Sequence, residues 1–230
     1  MRHLHHPRIR GGVLTGALAI ATMFIGVPAA HAGVDCVVGP GVTQTNSTVT
    51  GTNGNDTIDC GAATRGKTII GKAGNDTITG SAFDDTIDGD AGNDTLTGGR
   101  GNDTMDGGFG DDTMTGNGGR DAMTGDGGND TMTGSAGNDR LTGAAGSDTL
   151  SGGVRKDILQ GGPGADTVNG GVGDDKLKGG AGIDVLNGDT GSDTLVGPSN
   201  DSSVDTLNGG DGSDDCQGPG VDGDVLVACE

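Results

Sequence analysis

A large aliphatic side chain returns every ninth residue through the middle of the chain: Ile78, Ile87, Leu96, Met105, Met114, Met123, Met132, Leu141, Leu150, Leu159, Val168, Leu177, Leu186 and Leu195. Polar residues and glycine fill the intervals. One apolar position in nine is too sparse for a helix face, which needs several per two turns. It suits a three-residue strand whose middle side chain points inward while its neighbours point out. The other six residues of each unit then form a loop, and each unit is half a coil. Two units complete a turn of eighteen residues, so that alternate strands stack into two opposing sheets with the aliphatic column between them.

Aspartate keeps the same period two residues ahead of the aliphatic position: Asp76, Asp85, Asp94, Asp103, Asp112, Asp121, Asp130, Asp139, Asp148, Asp157, Asp166, Asp175, Asp184 and Asp193. Each unit reads roughly G-G-x-G-N-D-T-U-x, with U aliphatic. Irregular units flank this run at Asp56 and at Asp205, Asp214 and Asp224, and the stretch GPSND at 197–201 shifts the register by three residues. The pattern divides the chain into a leader over 1–32, a cap over 33–50, repeats over 51–226 with regular register over 71–196, and a tail over 227–230.

Composition makes this arrangement expensive. The chain has 52 glycines among 230 residues, is 30% hydrophobic and 1% aromatic, and contains no Trp or Tyr. Glycine loses more backbone freedom on ordering than any other residue, and so thin a core does little to offset that loss; disorder is the default for such a composition. The formal net charge is −20, and beyond residue 32 there are 10 basic against 33 acidic residues. Stacked strands put each Asp ~4.8 Å from the Asp eighteen residues away. At an effective dielectric of ~20 each such pair repels by roughly 3 kcal/mol.

A hard divalent cation between the loops reverses the sign of that term. Ca²⁺ takes six to eight oxygens, accepts carboxylates and backbone carbonyls, and tolerates irregular geometry, whereas Mg²⁺ demands a stricter octahedron. All four His precede residue 33, which disfavours zinc and copper. The acidic balance also disfavours nucleic acid and anionic membranes, which attract basic patches.

Tandem GGxGxDxUx units of this kind resemble the RTX, or haemolysin-type, calcium-binding repeats. The resemblance covers about residues 51–226 and implies a right-handed parallel β-roll, an all-β solenoid with calcium between successive loops on each edge. Carried over, the metal ligands are the fourteen aspartates of the regular register. Asp76, Asp94, Asp112, Asp130, Asp148, Asp166 and Asp184 line one edge, and the other seven line the opposite one. Seven loops per edge leave six gaps, so about 12 ions saturate the regular part. Phe83 and Arg155 replace the fourth-position glycine, which sets Asp85 and Asp157 apart. Many RTX proteins carry a catalytic or pore-forming domain and lack an N-terminal signal; this chain shows the reverse.

That signal reads as a basic n-region MRHLHHPRIR, an apolar stretch GGVLTGALAIATMFIGVP, and a small-x-small site at Ala30-His31-Ala32. Cleavage after Ala32 makes the protein secreted and extracellular, a compartment that permits disulfides. The four cysteines allow three pairings. If the units stack into a rod, its ends are too far apart to bridge, which leaves Cys36–Cys60 and Cys216–Cys229 as clamps on the two caps.

Other motifs carry less. GAATRGKT at 61–68 satisfies the P-loop pattern, but repeats lie on both sides of it, and it reads as an eroded unit with Arg65 where Asp belongs. DGDAGND at 88–94 lacks the residues an EF-hand needs at its fifth and twelfth positions. Asn46-Ser47-Thr48 is the one glycosylation sequon clear of the repeats. Without His beyond residue 31 and with all Cys paired, neither a Ser-His-Asp nor a Cys-His arrangement can be staged, so no enzyme activity is expected. On one sheet the outward positions read Thr77-x-Thr79, Thr95-x-Thr97, Thr113-x-Thr115, Thr131-x-Thr133 and Thr149-x-Ser151, similar to the Thr-x-Thr arrays of β-helical ice-binding proteins. Thr is also simply a good strand residue. The expected function is therefore a secreted calcium-binding roll that folds on Ca²⁺ and serves a structural or adhesive role, with a cell-surface glycan or protein as partner. An ordered-surface binder and a non-catalytic accessory module of an extracellular hydrolase or toxin are the alternatives.

Overall fold

The computed structural model describes residues 36–197, 203–217 and 224–229. The expected leader 1–32, its cleavage site and most of the register shift at 197–201 lie outside the described residues. Every regular element described is a strand. Strands alternate between two sheets, of 12 and 11 strands. Within each sheet a strand pairs in parallel with those eighteen residues before and after it. Thr95–Arg100 lies between Thr77–Thr79 and Thr113–Gly118 in the 12-stranded sheet, and Thr104–Phe109 between Thr86–Ala91 and Ala122–Gly127 in the 11-stranded one. This is the parallel β-roll that the period implies.

The register places like on like: Met114 pairs with Leu96 on one side and Met132 on the other. From Ile78 to Leu195 every aliphatic residue of the column is exposed by 2% or less. The core is thus a single file of side chains gripped between two sheets. Among the described residues no helix is long and apolar enough to cross a membrane.

Most strands run for six residues rather than the expected three, as in Thr113–Gly118 and Arg140–Ala145. The extension comes from the first three positions of the next unit, which stay in the ladder, so the loop proper shrinks to positions four to six. The second position achieves this in the left-handed region: Asn117, Asp126, Ser135 and Ala144 have φ of 75°, 70°, 80° and 77°. Side chains there tolerate that region at some cost.

The ends are closed differently from the middle. Val37–Val38 pairs antiparallel with Thr57–Asp59, and Thr43–Gln44 antiparallel with Thr48–Thr50. Disulfides join Cys36 to Cys60 and Cys216 to Cys229, as expected, and no cysteine is free.

Candidate metal-binding edges

The loops of alternate units stack along the two edges of the roll. All fourteen aspartates of the regular register are buried there, at 3% exposure or less. In each column the Oδ1 of one Asp accepts a hydrogen bond from the backbone N–H of the Asp one turn earlier. Asp94 N–H donates to Asp112 at 2.7 Å and Asp112 N–H to Asp130 at 2.8 Å; on the other edge Asp103 N–H donates to Asp121 at 2.9 Å. Each carboxylate is therefore a rung between turns, and its backbone donor fixes where the second oxygen points.

That second oxygen is the distinguishing feature. In Asp76, Asp94, Asp103, Asp112, Asp121, Asp130, Asp139, Asp148, Asp157, Asp166, Asp175 and Asp193, Oδ2 is buried without a hydrogen-bond partner among the described residues. A buried carboxylate oxygen with nothing to bond is among the costliest groups a fold can carry. The proton affinities report that cost. Burial, outweighing the backbone N–H bond that favours the charged form, pushes Asp103, Asp112 and Asp157 up to about 7. It pushes Asp94, Asp121, Asp130 and Asp193 to about 6. Coulombic repulsion from neighbouring carboxylates adds to the rise in several of them, as from Asp130 and Asp94 on Asp112.

The first glycine of each unit borders the same space. A Cβ on Gly170 would lie 2.7 Å from Asp175 Oδ2 and 2.9 Å from the Gly188 carbonyl oxygen. Its φ is not left-handed, so glycine is required there for room rather than for backbone freedom. Carboxylate and carbonyl oxygens thus converge on a small cradle, repeated at Gly107 with Asp112 Oδ2 and the Gly125 carbonyl. Among the described residues no three Asp, Glu, His or Cys side chains converge closely enough to hold a metal by themselves. A cation here draws on few carboxylates and more main-chain carbonyls, an all-oxygen set suited to a hard ion.

The two units set apart by their fourth residue behave differently. Arg155 takes a φ of 82°, as the glycine would, and Asp157 keeps the common geometry. Phe83 does not enter that region; the strand before it ends at Thr79, and Ser81 turns inward. Ser81 donates to Asp85 Oδ2 through its backbone N–H and its Oγ–H, so this carboxylate is satisfied. Thr52 does the same for Asp56 Oδ2, at 2.6 Å and 3.0 Å.

At the eroded unit the structure corrects the alignment. Thr68 pairs with Thr86, which puts Lys67, not Arg65, level with Asp85. Lys67 is buried, its N–H donates to Asp85 Oδ1, and its Nζ donates to the Asn46 carbonyl at 2.8 Å. A cation is thereby built into the chain where the column would otherwise begin with another carboxylate.

Sequence reasoning missed a second ladder on the outside of each edge. The fifth residue accepts from the backbone one turn later: Asn55 from Asn75 N–H at 3.0 Å, Asn75 from Asn93 at 3.1 Å, and Asp111 from Asn129 at 2.7 Å. It runs opposite in direction to the Asp ladder beside it. The recurrence of Asn or Asp immediately before eight of the fourteen buried aspartates was the available signal.

The RTX calcium-binding nonapeptide repeat profile matches residues 43–62, 201–218 and, in overlapping copies, 70–197. The chain belongs to the RTX calcium-binding nonapeptide repeat family. A comparison with curated proteins finds no match. For an RTX roll the single file of aliphatic residues, the cradle glycines and the oxygen-only donor set are parts of one design. The sheets hold the turns, and the edges present oxygens in pairs.

Proposed function

We propose that this RTX chain is a secreted protein whose roll orders on binding Ca²⁺, with a structural or adhesive role. The buried, unpartnered Oδ2 atoms along both edges carry the reading. A doubly charged ion in each cradle gives those oxygens a partner and removes the repulsion between turns. The proposed ligands are the fourteen aspartates from Asp76 to Asp193, with main-chain carbonyls completing each set. Asp85 is the weakest of them, because Ser81 already serves its second oxygen. About 12 ions at per-site affinities of about 10⁻⁴–10⁻³ M suit an extracellular module. Coupling of metal binding to folding leaves the chain loose where free calcium is scarce and ordered where it is plentiful.

A circular dichroism titration with calcium and then EGTA tests this. The expected result is a β signal that grows with calcium and collapses on chelation; a signal indifferent to both refutes the reading.

A second reading is favoured by one observation. Thr77, Thr95, Thr113, Thr131 and Thr149 stand in strict cross-strand register, as do Thr79, Thr97, Thr115, Thr133 and Ser151. Such a grid of hydroxyls and methyls suits an ordered surface such as ice. Thermal hysteresis of the calcium-loaded protein, absent in a Thr95→Lys, Thr113→Lys variant, supports it; no hysteresis in the native chain ends it.

A further inference from the structure

The outer face of the 11-stranded sheet carries opposite charges on its two halves. Asp88, Asp90, Asp106 and Asp126 lie on the strands from Thr86–Ala91 to Ala122–Gly127. Burial raises the proton affinity of Asp88 and Asp106, and repulsion raises it further, from Asp90 and Asp126 on Asp88 and from Asp126 and Asp88 on Asp106. Lys72, across the ladder from Asp90, is the one basic residue on the strands of this half. Beyond them the sign changes. Arg140, Lys176 and Lys178 occupy exposed positions on Arg140–Ala145 and Lys176–Ala181, and neither these strands nor Ile158–Pro163 between them contains an acidic residue.

Shape divides along the same line. Phe109, in the acidic half, is 76% exposed. In the basic half Gln160, Pro163, Lys178, Ala181 and Val196 border a shallow depression of about 480 Å³. Phe109 and Pro163 end the strands Thr104–Phe109 and Ile158–Pro163. Those strands lie equally far on either side of the line between Ala122–Gly127 and Arg140–Ala145. A two-fold axis along that line, parallel to the strands, lays Asp88 over Lys178, Phe109 over Pro163 and Ala91 over Ala181. It repeats each contact by symmetry.

We propose that two copies of the chain pair through this face, each filling the other's depression with Phe109 and matching its acidic half to the other's basic half. The surface is self-complementary, the condition for an isologous dimer. Eight strands from Thr68–Ala73 to Thr194–Val196 form the face. At ~4.8 Å between strands and ~3.3 Å per residue it measures roughly 700–800 Å², close to the ~800 Å² per partner of a standard stable interface. An aromatic knob seated in a pocket supplies the anchor, and the charges set orientation. The opposite sheet, with its uncharged Thr columns, has no such polarity. The dimer requires the folded roll and goes beyond the calcium reading.

Sedimentation velocity of the full chain with calcium, over the micromolar range and with folding checked by circular dichroism, tests the pairing. The native chain is expected to dimerise, more weakly at high salt. Lys176→Asp with Lys178→Asp leaves Arg140 as the one cation of the basic half and makes its outer part acidic, and Asp88→Lys with Asp90→Lys makes the outer part of the acidic half basic. Each variant alone is expected to be monomeric, while an equimolar mixture dimerises. Phe109→Ser is expected to weaken the native dimer at least tenfold. A folded native chain that stays monomeric overturns the proposal, as do charge variants that each dimerise as well as the native chain. So does a monomer that binds dextran sulfate through Arg140, Lys176 and Lys178, since the basic half would then serve a polyanion. If calcium leaves the circular dichroism unchanged, the calcium reading fails while sedimentation of the folded chain still decides the dimer.

Discussion

Asp85 and Asp139 occupy the same repeat position on the same edge, and each has a serine four residues before it. Their surroundings nevertheless differ. Ser81 reaches Asp85 Oδ2 with two donors. Ser135 sits at φ 80°, its side chain is carried away, and Asp139 Oδ2 is left without a partner. One backbone dihedral decides whether a turn satisfies its own carboxylate. Among the first turns Thr52 serves Asp56, Ser81 serves Asp85 and Lys67 heads one edge, while Asp76, with Lys72 at φ 86°, already leaves its Oδ2 without a partner among the described residues. From Asp94 to Asp193 the second residue is left-handed or glycine, and on the proposed reading an external cation takes the place of the serine donors. Whether a turn serves its own second carboxylate oxygen is therefore a local property, and the proposed calcium reading makes the N-terminal end the part that needs metal least.

The largest expected consequence is a divided response to chelation. Hydrogen exchange in EGTA at neutral pH should show amides over 89–197 losing most of their protection, while Thr48–Thr50, Thr57–Asp59 and Thr77–Thr79 retain more. Equal loss along the whole chain would remove the distinction between the two regions. Acid should oppose chelation. The central carboxylates have folded-state affinities raised from 3.8 to about 6 or about 7. The metal-free fold thus binds protons more tightly than the unfolded chain does. Its stability is fully present below pH 3.8 and is lost as pH rises through 6 to 7. In EGTA the β signal should be stronger at pH 5 than at pH 7.5. With calcium the order reverses in part, since protons compete for the same oxygens and apparent affinity falls below about pH 6 to 7.

Much of this was legible in the residues. A nine-residue period in a single aliphatic position fixes two sheets and a one-residue core, because Ile78 to Leu195 have nowhere else to be buried. The pairing of cysteines followed from the distance between ends. Less was visible where conformation rather than identity decides. Strand length is one such case: the aliphatic spacing specifies only three residues, whereas Gly116 and Gly134 continue the ladder within Thr113–Gly118 and Thr131–Ala136. The alignment of Lys67 depended on how a two-residue insertion between Asp56 and Asp76 is absorbed, which no period can specify. The outer ladder shows in sequence only as a recurrent fifth-position Asn or Asp, because a side chain bonding to backbone one turn away has no partner nearby in the chain.

Glycine substitutions separate room from conformational freedom with a smaller effect. A Cβ at Gly116 would run into the Asp121 carboxylate and stand 3.0 Å from the Gly134 carbonyl oxygen, whereas one at Gly118 meets nothing within 4 Å. Gly116→Ala should cost about 2–3 kcal/mol in calcium-loaded denaturation and lower the number of ions bound. Gly118→Ala should stay within about 0.5 kcal/mol of native. Similar costs at both sites would mean that glycine serves backbone freedom here and not the cradle.

The smallest effect tests the difference between Asp85 and Asp139 directly. Ser81→Ala removes the Oγ–H donor from Asp85 Oδ2 but leaves the Ser81 backbone N–H in place, so about 1 kcal/mol of stability should be lost. Ser135→Ala removes a hydroxyl that serves no carboxylate and should change stability by less than about 0.5 kcal/mol. The metal requirement should move with the first substitution alone. In calcium-loaded Ser81→Ala the N-terminal strands should become as sensitive to EGTA as the central ones, because Asp85 then resembles its neighbours on the edge. If both serines prove equally dispensable, the hydroxyl is not what frees the N-terminal turns from the ion. That role would fall to Lys67, whose Lys67→Met substitution would then produce the same sensitivity with both serines intact.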